Sequence, residues 1–287
     1  MAIILAYSLS ETRRVNNVGS KLIQLIKKME KNHKYEHKIL PESFENKFVA
    51  FLDVMGFSNL VSQNNLDQLD RYFYHVNQIL LKLKESDSKI NFLSISDSII
   101  IISPTGLNGL IQIIRAIKEI QITLLRKGIL LRGALSYGSV FFDNVNNILV
   151  GKGYIKAYKL ESQAIYPRVI IDPYIISLTD QDRAGFLKSI NKDDLLVYQN
   201  TRSSPIKDDA VFIHYSEILD NDKKIHKTIT SVYEMIKANL YTDQSIFEKY
   251  IWIKNYYLES LQKVKLDLLH QSTRKAIESW TEKFDRF

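Results

Sequence analysis

The segment 47–55, KFVAFLDVM, constrains the fold of this chain more tightly than any other stretch. Its apolar residues follow one another without the alternation of a half-exposed strand, which is the pattern of a strand buried on both faces. One carboxylate, Asp53, interrupts it. A second, Asp97, interrupts the apolar run FLSISDSIIII. A carboxylate inside a buried sheet costs several kcal/mol unless something compensates it. The chain therefore has to place a strand core and answer for two charges within it.

The neighbouring periodicities supply the rest of a domain. Gly56 ends the first strand, and Ser58 stands where it would cap a helix running to about Lys84, with Leu60, Leu66, Leu69, Phe73, Val76 and Leu80 near one face. INFLSIS and SIIIIS read as a hairpin meeting at Asp97. GLNGLIQIIRAIKEIQITLLRKG reads as a second long helix ended by Gly128, and ILLRGALSYG as a strand ended by Gly138. FFDNVNNILV has the Asn/Asp chemistry of a strand–turn–strand; GKGYIKAYKLESQA reads as a third helix and RVIID as a closing strand. The order predicts an α+β fold with a ferredoxin-like β-α-β-β-α-β core, helices packed on one face of the sheet. Residues 1–46 read as a helical leader, 47–172 as the core domain, and 173–287 as an extension of paired strands (LLVYQN, AVFIHY) followed by helices.

Composition narrows the chemistry. With 287 residues, 45% of them hydrophobic, the chain can bury a sizeable core plus an appendage. It has no cysteine, which excludes disulfides, thiol catalysis and thiolate-ligated zinc and fits a reducing cytoplasm. The opening residues lack the features of a signal peptide, and no run approaches the roughly 18 apolar residues of a membrane span. The net charge of +7 favours polyanionic partners, either nucleic acid or a phosphorylated small molecule. The six histidines show no metal-ligand spacing, and no GxSxG, Walker A or GxGxxG pattern is present.

For each candidate residue a chemical and a purely structural reading stand side by side. Asp53 and Asp97 converge on divalent cations if the first strand and the hairpin are neighbours, since Mg²⁺ takes one or two carboxylates plus substrate phosphates. Otherwise Asp97 is a turn residue and Asp53 an ion-paired strand end. Gly56 lets backbone approach a ligand where a helix start exposes its N–H groups; it also serves any turn. Arg132 is suited to clamp phosphate, or to reach solvent from an edge. Lys152, Lys156 and Lys159 form either a cationic helix face or an ordinary solvated one.

Four segments in this order, FLDVMGFSNLV, SISDSIIII, RGALSYG and VGKGYIKAYKLES, together resemble the class III adenylate/guanylate cyclase homology domain, over roughly residues 47–172. Within that family they look most like the pyrimidine cyclases of the Pycsar anti-phage defence systems. The resemblance implies a homodimer that closes UTP, or CTP, to its 3′,5′-cyclic monophosphate with two Mg²⁺ or Mn²⁺ ions, the product acting on a cyclic-nucleotide-responsive effector. It implies metal binding by Asp53, Asp97 and the Val54 carbonyl, a triphosphate loop at Gly56, Phe57 and Ser58, and phosphate contact by Arg132. Leu93 and Ile148 stand where purine cyclases read the base with polar groups, which argues against purine readout. Ile155 and Lys159 replace the usual transition-state Asn and Arg, leaving Lys159 and Lys156 as the cationic candidates. Nucleic-acid and membrane partners are not expected. A catalytically silent cyclase-fold binding protein is the principal alternative, and a polymerase-palm-like protein a further one.

Overall fold

The computed structural model describes residues 40–62, 66–86, 89–178, 197–199, 210–242 and 244–287. The chain divides into a unit of residues 1–43 and a unit of residues 44–287. Of the first, the described part is residues 40–43, with a 3-10 turn at Pro41–Ser43; residues 1–39 of the expected helical leader lie outside the described residues.

The second unit is built on a sheet. Strand β1 (Glu45–Val54) pairs antiparallel with β3 (Ser98–Pro104) on one side and β4 (Leu131–Asp143) on the other. β2 (Asn91–Ile95) forms a hairpin with β3 through the two-residue turn Ser96–Asp97. The order β2-β3-β1-β4, with helices crossing from β1 to β2 and from β3 to β4, is the ferredoxin-like core in which all neighbouring strands run antiparallel. The sheet continues through β6 (Val169–Ile171), parallel to β4, then β8 (Val211–Ile213) and β7 (Val197–Gln199). β5 (Ile148–Gly151) pairs with the end of β4.

β1 is sandwiched, as its unbroken apolar run requires. Phe48, Ala50, Leu52 and Val54 pack with α2 (Leu66–Ser86) and α3 (Leu107–Leu125) on one face. Val49 and Phe51 pack with Ile100, Ile102 and Ala157 on the other. Ala157 belongs to α4 (Lys152–Glu161), a helix outside the six-element core. Helices therefore cover both faces: the two core crossovers lie on the side expected, and α4 covers the opposite side.

Two local readings differ. The helix predicted from Ser58 is two helices, α1 (Phe57–Ser62) and α2, and Ser58 lies in the first turn of α1 rather than at its cap. Gly138 does not end its strand; β4 runs on to Asp143. A Cβ on Gly138 would lie 2.9 Å from the backbone nitrogen of Gly153, so this glycine admits the close approach of α4. The predicted pairing of LLVYQN with AVFIHY is present as β7–β8.

A short helix, α5 (Pro173–Ser177), follows β6. After β8 come α6 (Thr228–Asn239), α7 (Gln244–Gln262) and α8 (Gln271–Asp285). Their apolar faces form an aromatic cluster with Phe212, Tyr215, Trp252, Tyr256 and Phe284. The guanidinium of fully buried Arg168 lies over the rings of Tyr166, Phe212 and Trp252 at 5.4–5.9 Å. Its Nε donates to the Ala164 carbonyl at 3.1 Å, so the burial of this cation is compensated by aromatic faces and backbone.

Candidate active site

Strand alternation decides which face receives Asp53. Two residues beyond Phe51, it emerges on the α4 side, at the C-terminal end of β1, opposite Ser98 on β3 and Arg132 on β4. Because Ser98 is the first residue after the hairpin turn, the β1–β3 register brings Asp97 beside Asp53. The Val54 N–H donates to the Asp97 carbonyl at 3.3 Å, and the Tyr72 hydroxyl of α2 donates to the same oxygen at 3.4 Å. The Asp97 carboxylate is near enough to act on the Asp53 carboxyl. Both structural readings of these aspartates are thus true of them: Asp97 is a turn residue, and Asp53 is ion-paired.

The ion-pair partner of Asp53 is Arg132, whose Nη2 and Nε donate to Asp53 Oδ2 at 3.2 and 3.3 Å. The same guanidinium pairs with Glu161, at the end of α4. Arg132 is neither solvated at an edge nor free for phosphate in this arrangement; it bridges two carboxylates whose side chains are only 20% and 8% exposed.

Burial pushes the Asp53 carboxyl above its usual range; Arg132 pulls it back and Asp97 pushes it further up. The Glu161 carboxyl is likewise raised by burial, lowered by Arg132, and raised again by Asp53 and Asp97. Tyr72 is raised by burial and by the same two aspartates. The cluster therefore carries more negative charge than Arg132 neutralises, and a cation placed between Asp53 and Asp97 would relieve it. Among the described residues no group of three or more His, Cys, Asp or Glu is arranged for a metal. Two carboxylates still suit Mg²⁺ or Mn²⁺ when substrate phosphates complete the shell.

Other candidates lie at varying distance from this cluster. Gly56, with φ of +80°, forms an exposed turn directly after β1, and a Cβ there would meet nothing within 4 Å. Phe57 points away from the cluster, packing edge-on against Tyr72 with ring centroids 5.6 Å apart; Ser58 is exposed beside it. Leu93 pairs with Ile100 and packs against the apolar cluster on the α4 face. Ile148 opens β5, opposite Asp143. Lys156 pairs with Asp172 at 2.6 Å and lies over the Tyr174 ring at 5.0 Å, while Lys159 is exposed. The residue that α4 delivers to the carboxylates is Glu161, not a lysine.

Glu161 and Asp172 were not singled out from the sequence. The spacing Gly153, Ala157, Glu161 marks the buried stripe of α4 and contains a carboxylate, a signal that was legible.

A second polar group lies in the extension. His214 Nε2 meets Ser216 Oγ at 3.0 Å, and its Nδ1 meets the Tyr256 hydroxyl at 2.8 Å. Burial pushes the His214 pKa down to about 3. Ser216 is itself 1% exposed, so this chain of hydrogen bonds satisfies buried polar groups and offers no accessible nucleophile.

No family model matches the chain, and no curated protein matches it in sequence. Solved structures that resemble it include the monomeric guanylyl cyclase domain of the RhoGC fusion protein from the aquatic fungus Blastocladiella emersonii, at 16% identity and a TM-score of 0.43 over 59% of this chain and 95% of that one. The adenylyl cyclase CyaB from P. aeruginosa aligns at 17% identity with a TM-score of 0.38, over 59% of this chain and 93% of that one. Adenylate cyclases from Trypanosoma brucei in their monomeric state align at 13% identity and a TM-score of 0.41, over 61% of this chain and 89% of that one.

Proposed function

We propose that this protein is a nucleotide cyclase acting on a pyrimidine nucleoside triphosphate, UTP ahead of CTP. The observation that carries the reading is the convergence of Asp53 and Asp97, from β1 and the β2–β3 turn, beside the open turn at Gly56. In the reaction the ribose 3′-oxygen bonds to the α-phosphorus, the bond to the bridging oxygen breaks, pyrophosphate leaves, and the hydroxyl proton passes to solvent. Asp53, Asp97 and the Val54 carbonyl would hold two divalent cations, Mg²⁺ or Mn²⁺, which supply Lewis-acid stabilisation of the charge on the phosphates. Gly56, Phe57 and Ser58 would present backbone N–H groups to the triphosphate at the start of α1. Arg132 would exchange a carboxylate for phosphate, with Glu161 holding the guanidinium in place.

Within one chain Lys156 is paired with Asp172 and Lys159 is exposed, and among the described residues neither makes an ion pair with Asp53 or Asp97. That arrangement supports a site completed by a second copy in a homodimer, with Lys159 as the cationic group and Leu93 and Ile148 lining an apolar base pocket. Such a pocket gives purines no polar readout, which favours the smaller ring. The reading places the protein in the cytoplasm, in anti-phage signalling through a cyclic-nucleotide-responsive effector; no described helix is long and apolar enough to cross a membrane. The bridging of Arg132 between Asp53 and Glu161 favours a second reading, a catalytically silent nucleotide-binding protein of the same fold.

Incubation with each of the four nucleoside triphosphates and Mn²⁺ or Mg²⁺, with products identified by mass, separates these readings. Cyclic UMP or cyclic CMP as main product, lost in Asp53→Asn and Asp97→Asn, supports the proposal. Equal or better turnover of ATP or GTP refutes the pyrimidine assignment. No product from any of the four refutes the enzyme.

A further inference from the structure

On the far side of the turn that follows β1, facing α2 rather than α4, the fold leaves a cleft of about 510 Å³. That volume lies within the ~300–1,000 Å³ range of small-molecule sites. One wall is the turn itself at Gly56; a second is α2, through Arg71, Tyr74 and His75; a third is the α3–β4 turn, through Lys127 and Gly128. Arg71 and His75 are one helical turn apart and share a face.

Among the described residues no Asp or Glu lines the cleft. Among the described residues neither Arg71 nor Lys127 lies within ion-pair distance of a carboxylate. The three basic groups nevertheless stand close: burial, then the charges of Lys127 and Arg71, hold the His75 pKa below its usual value. Cations gathered without a counter-charge repel one another, and an anion seated among them removes that cost. Arginine presents its donors as a planar fork matched to phosphate oxygens, with lysine adding a point charge. The exposed ring of Tyr74, edge-on to His75 with centroids 5.4 Å apart, provides an aromatic surface for a planar body. Gly56 and Gly128, both with positive φ and no atom within 4 Å of a built Cβ, keep two walls low enough for backbone to approach the ligand.

We propose that this cleft, which borders the proposed triphosphate loop at Val54 and Gly56 but is walled by Arg71, Tyr74 and Lys127 rather than by Asp53 and Asp97, is a second binding site, for a mononucleotide-sized organic phosphate. Arg71 and Lys127 take the phosphate and Tyr74 takes the base. The site does not depend on the cyclase reading, because binding here requires neither metal nor turnover.

The test is calorimetric titration of the full chain, in EDTA and at fixed ionic strength, with UMP, CMP, AMP, GMP and inorganic phosphate separately. The expected result is one-to-one binding of at least one mononucleotide, tighter than inorganic phosphate. Affinity should fall at least tenfold in Arg71→Gln/Lys127→Gln and stay unchanged in Asp53→Asn. The variant Lys237→Gln/Lys275→Gln removes the same charge from exposed positions on α6 and α8 and should bind as the parent does. If the first double variant does not fold, Lys127→Glu, a single change in a turn, carries the same expectation. Absence of saturable binding up to millimolar mononucleotide overturns the proposal, as does an equal loss in the charge control or loss in Asp53→Asn. Phosphate binding as tight as the mononucleotides overturns the nucleotide-sized assignment.

Discussion

Replacing Asp53 by Asn should make the folded protein more stable at neutral pH while removing its response to metal. Burial dominates the environment of this carboxyl, and the repulsion of Asp97 adds to it; together they outweigh the two Arg132 hydrogen bonds of 3.2 and 3.3 Å and leave its pKa above the unfolded value. A carboxyl raised in this way contributes stability at pH values below its unfolded pKa, and that contribution is lost as pH rises through its folded pKa. At pH 7.5 the wild type has lost it, and the Asn variant, uncharged at every pH, has nothing to lose. Removing the charge also lessens the upward push on Glu161. Relief of one strained site of this kind is worth about 0.5–2 kcal/mol, a rise in Tm of roughly 1–8 °C for a domain of this size. The assay is thermal unfolding in EDTA from pH 7.5 to pH 4.5, variant against wild type. The difference should be largest at pH 7.5 and shrink as pH falls. Adding Mn²⁺ should then reverse the order: at hundredfold excess over its Kd a ligand stabilises by about 2.7 kcal/mol, for the wild type alone. A variant melting below the wild type at pH 7.5 in EDTA would refute the electrostatic reasoning, and an equal Mn²⁺ shift in both proteins would refute the metal assignment.

Gly138→Ala should cost about 1–3 kcal/mol by urea unfolding, because its Cβ meets the Gly153 backbone nitrogen at 2.9 Å; an unchanged midpoint would show that α4 can shift. His214, buried and held down to about 3, must take up a proton on unfolding in acid, so stability falls as pH drops below its unfolded value. The loss is about 2 kcal/mol by pH 5, and His214→Gln should flatten that part of the profile. Mixing inactive Asp53→Asn and Lys159→Ala chains should restore part of the cyclase activity if the site is shared between two copies; no recovery, with both variants dimeric, would sink the shared site.

The double-sided burial of β1 was legible from KFVAFLDVM because a strand without alternation can be satisfied only by apolar layers above and below. The hairpin at Asp97, the crossover helices and the β-α-β-β-α-β order followed from period and punctuation, which are local properties. So did the prominence of Asp53 and Asp97, since a charge in an apolar run stands out on one dimension. What those carboxylates touch was not legible. Arg132 reaches Asp53 through the β1–β4 register and reaches Glu161 through the packing of α4, and both depend on contacts far apart in sequence. The role of Gly138 also changed in three dimensions: along the chain a glycine after SY looks like a stop, whereas against Gly153 it is the gap that lets a helix approach a strand. Lys156 looked like part of a free cationic face until Asp172, sixteen positions on, came within 2.6 Å of it. Sequence determines which residues are apolar, which are charged and how they repeat. Which charges neutralise one another depends on distance in space, and only the packed sheet and helices set that distance.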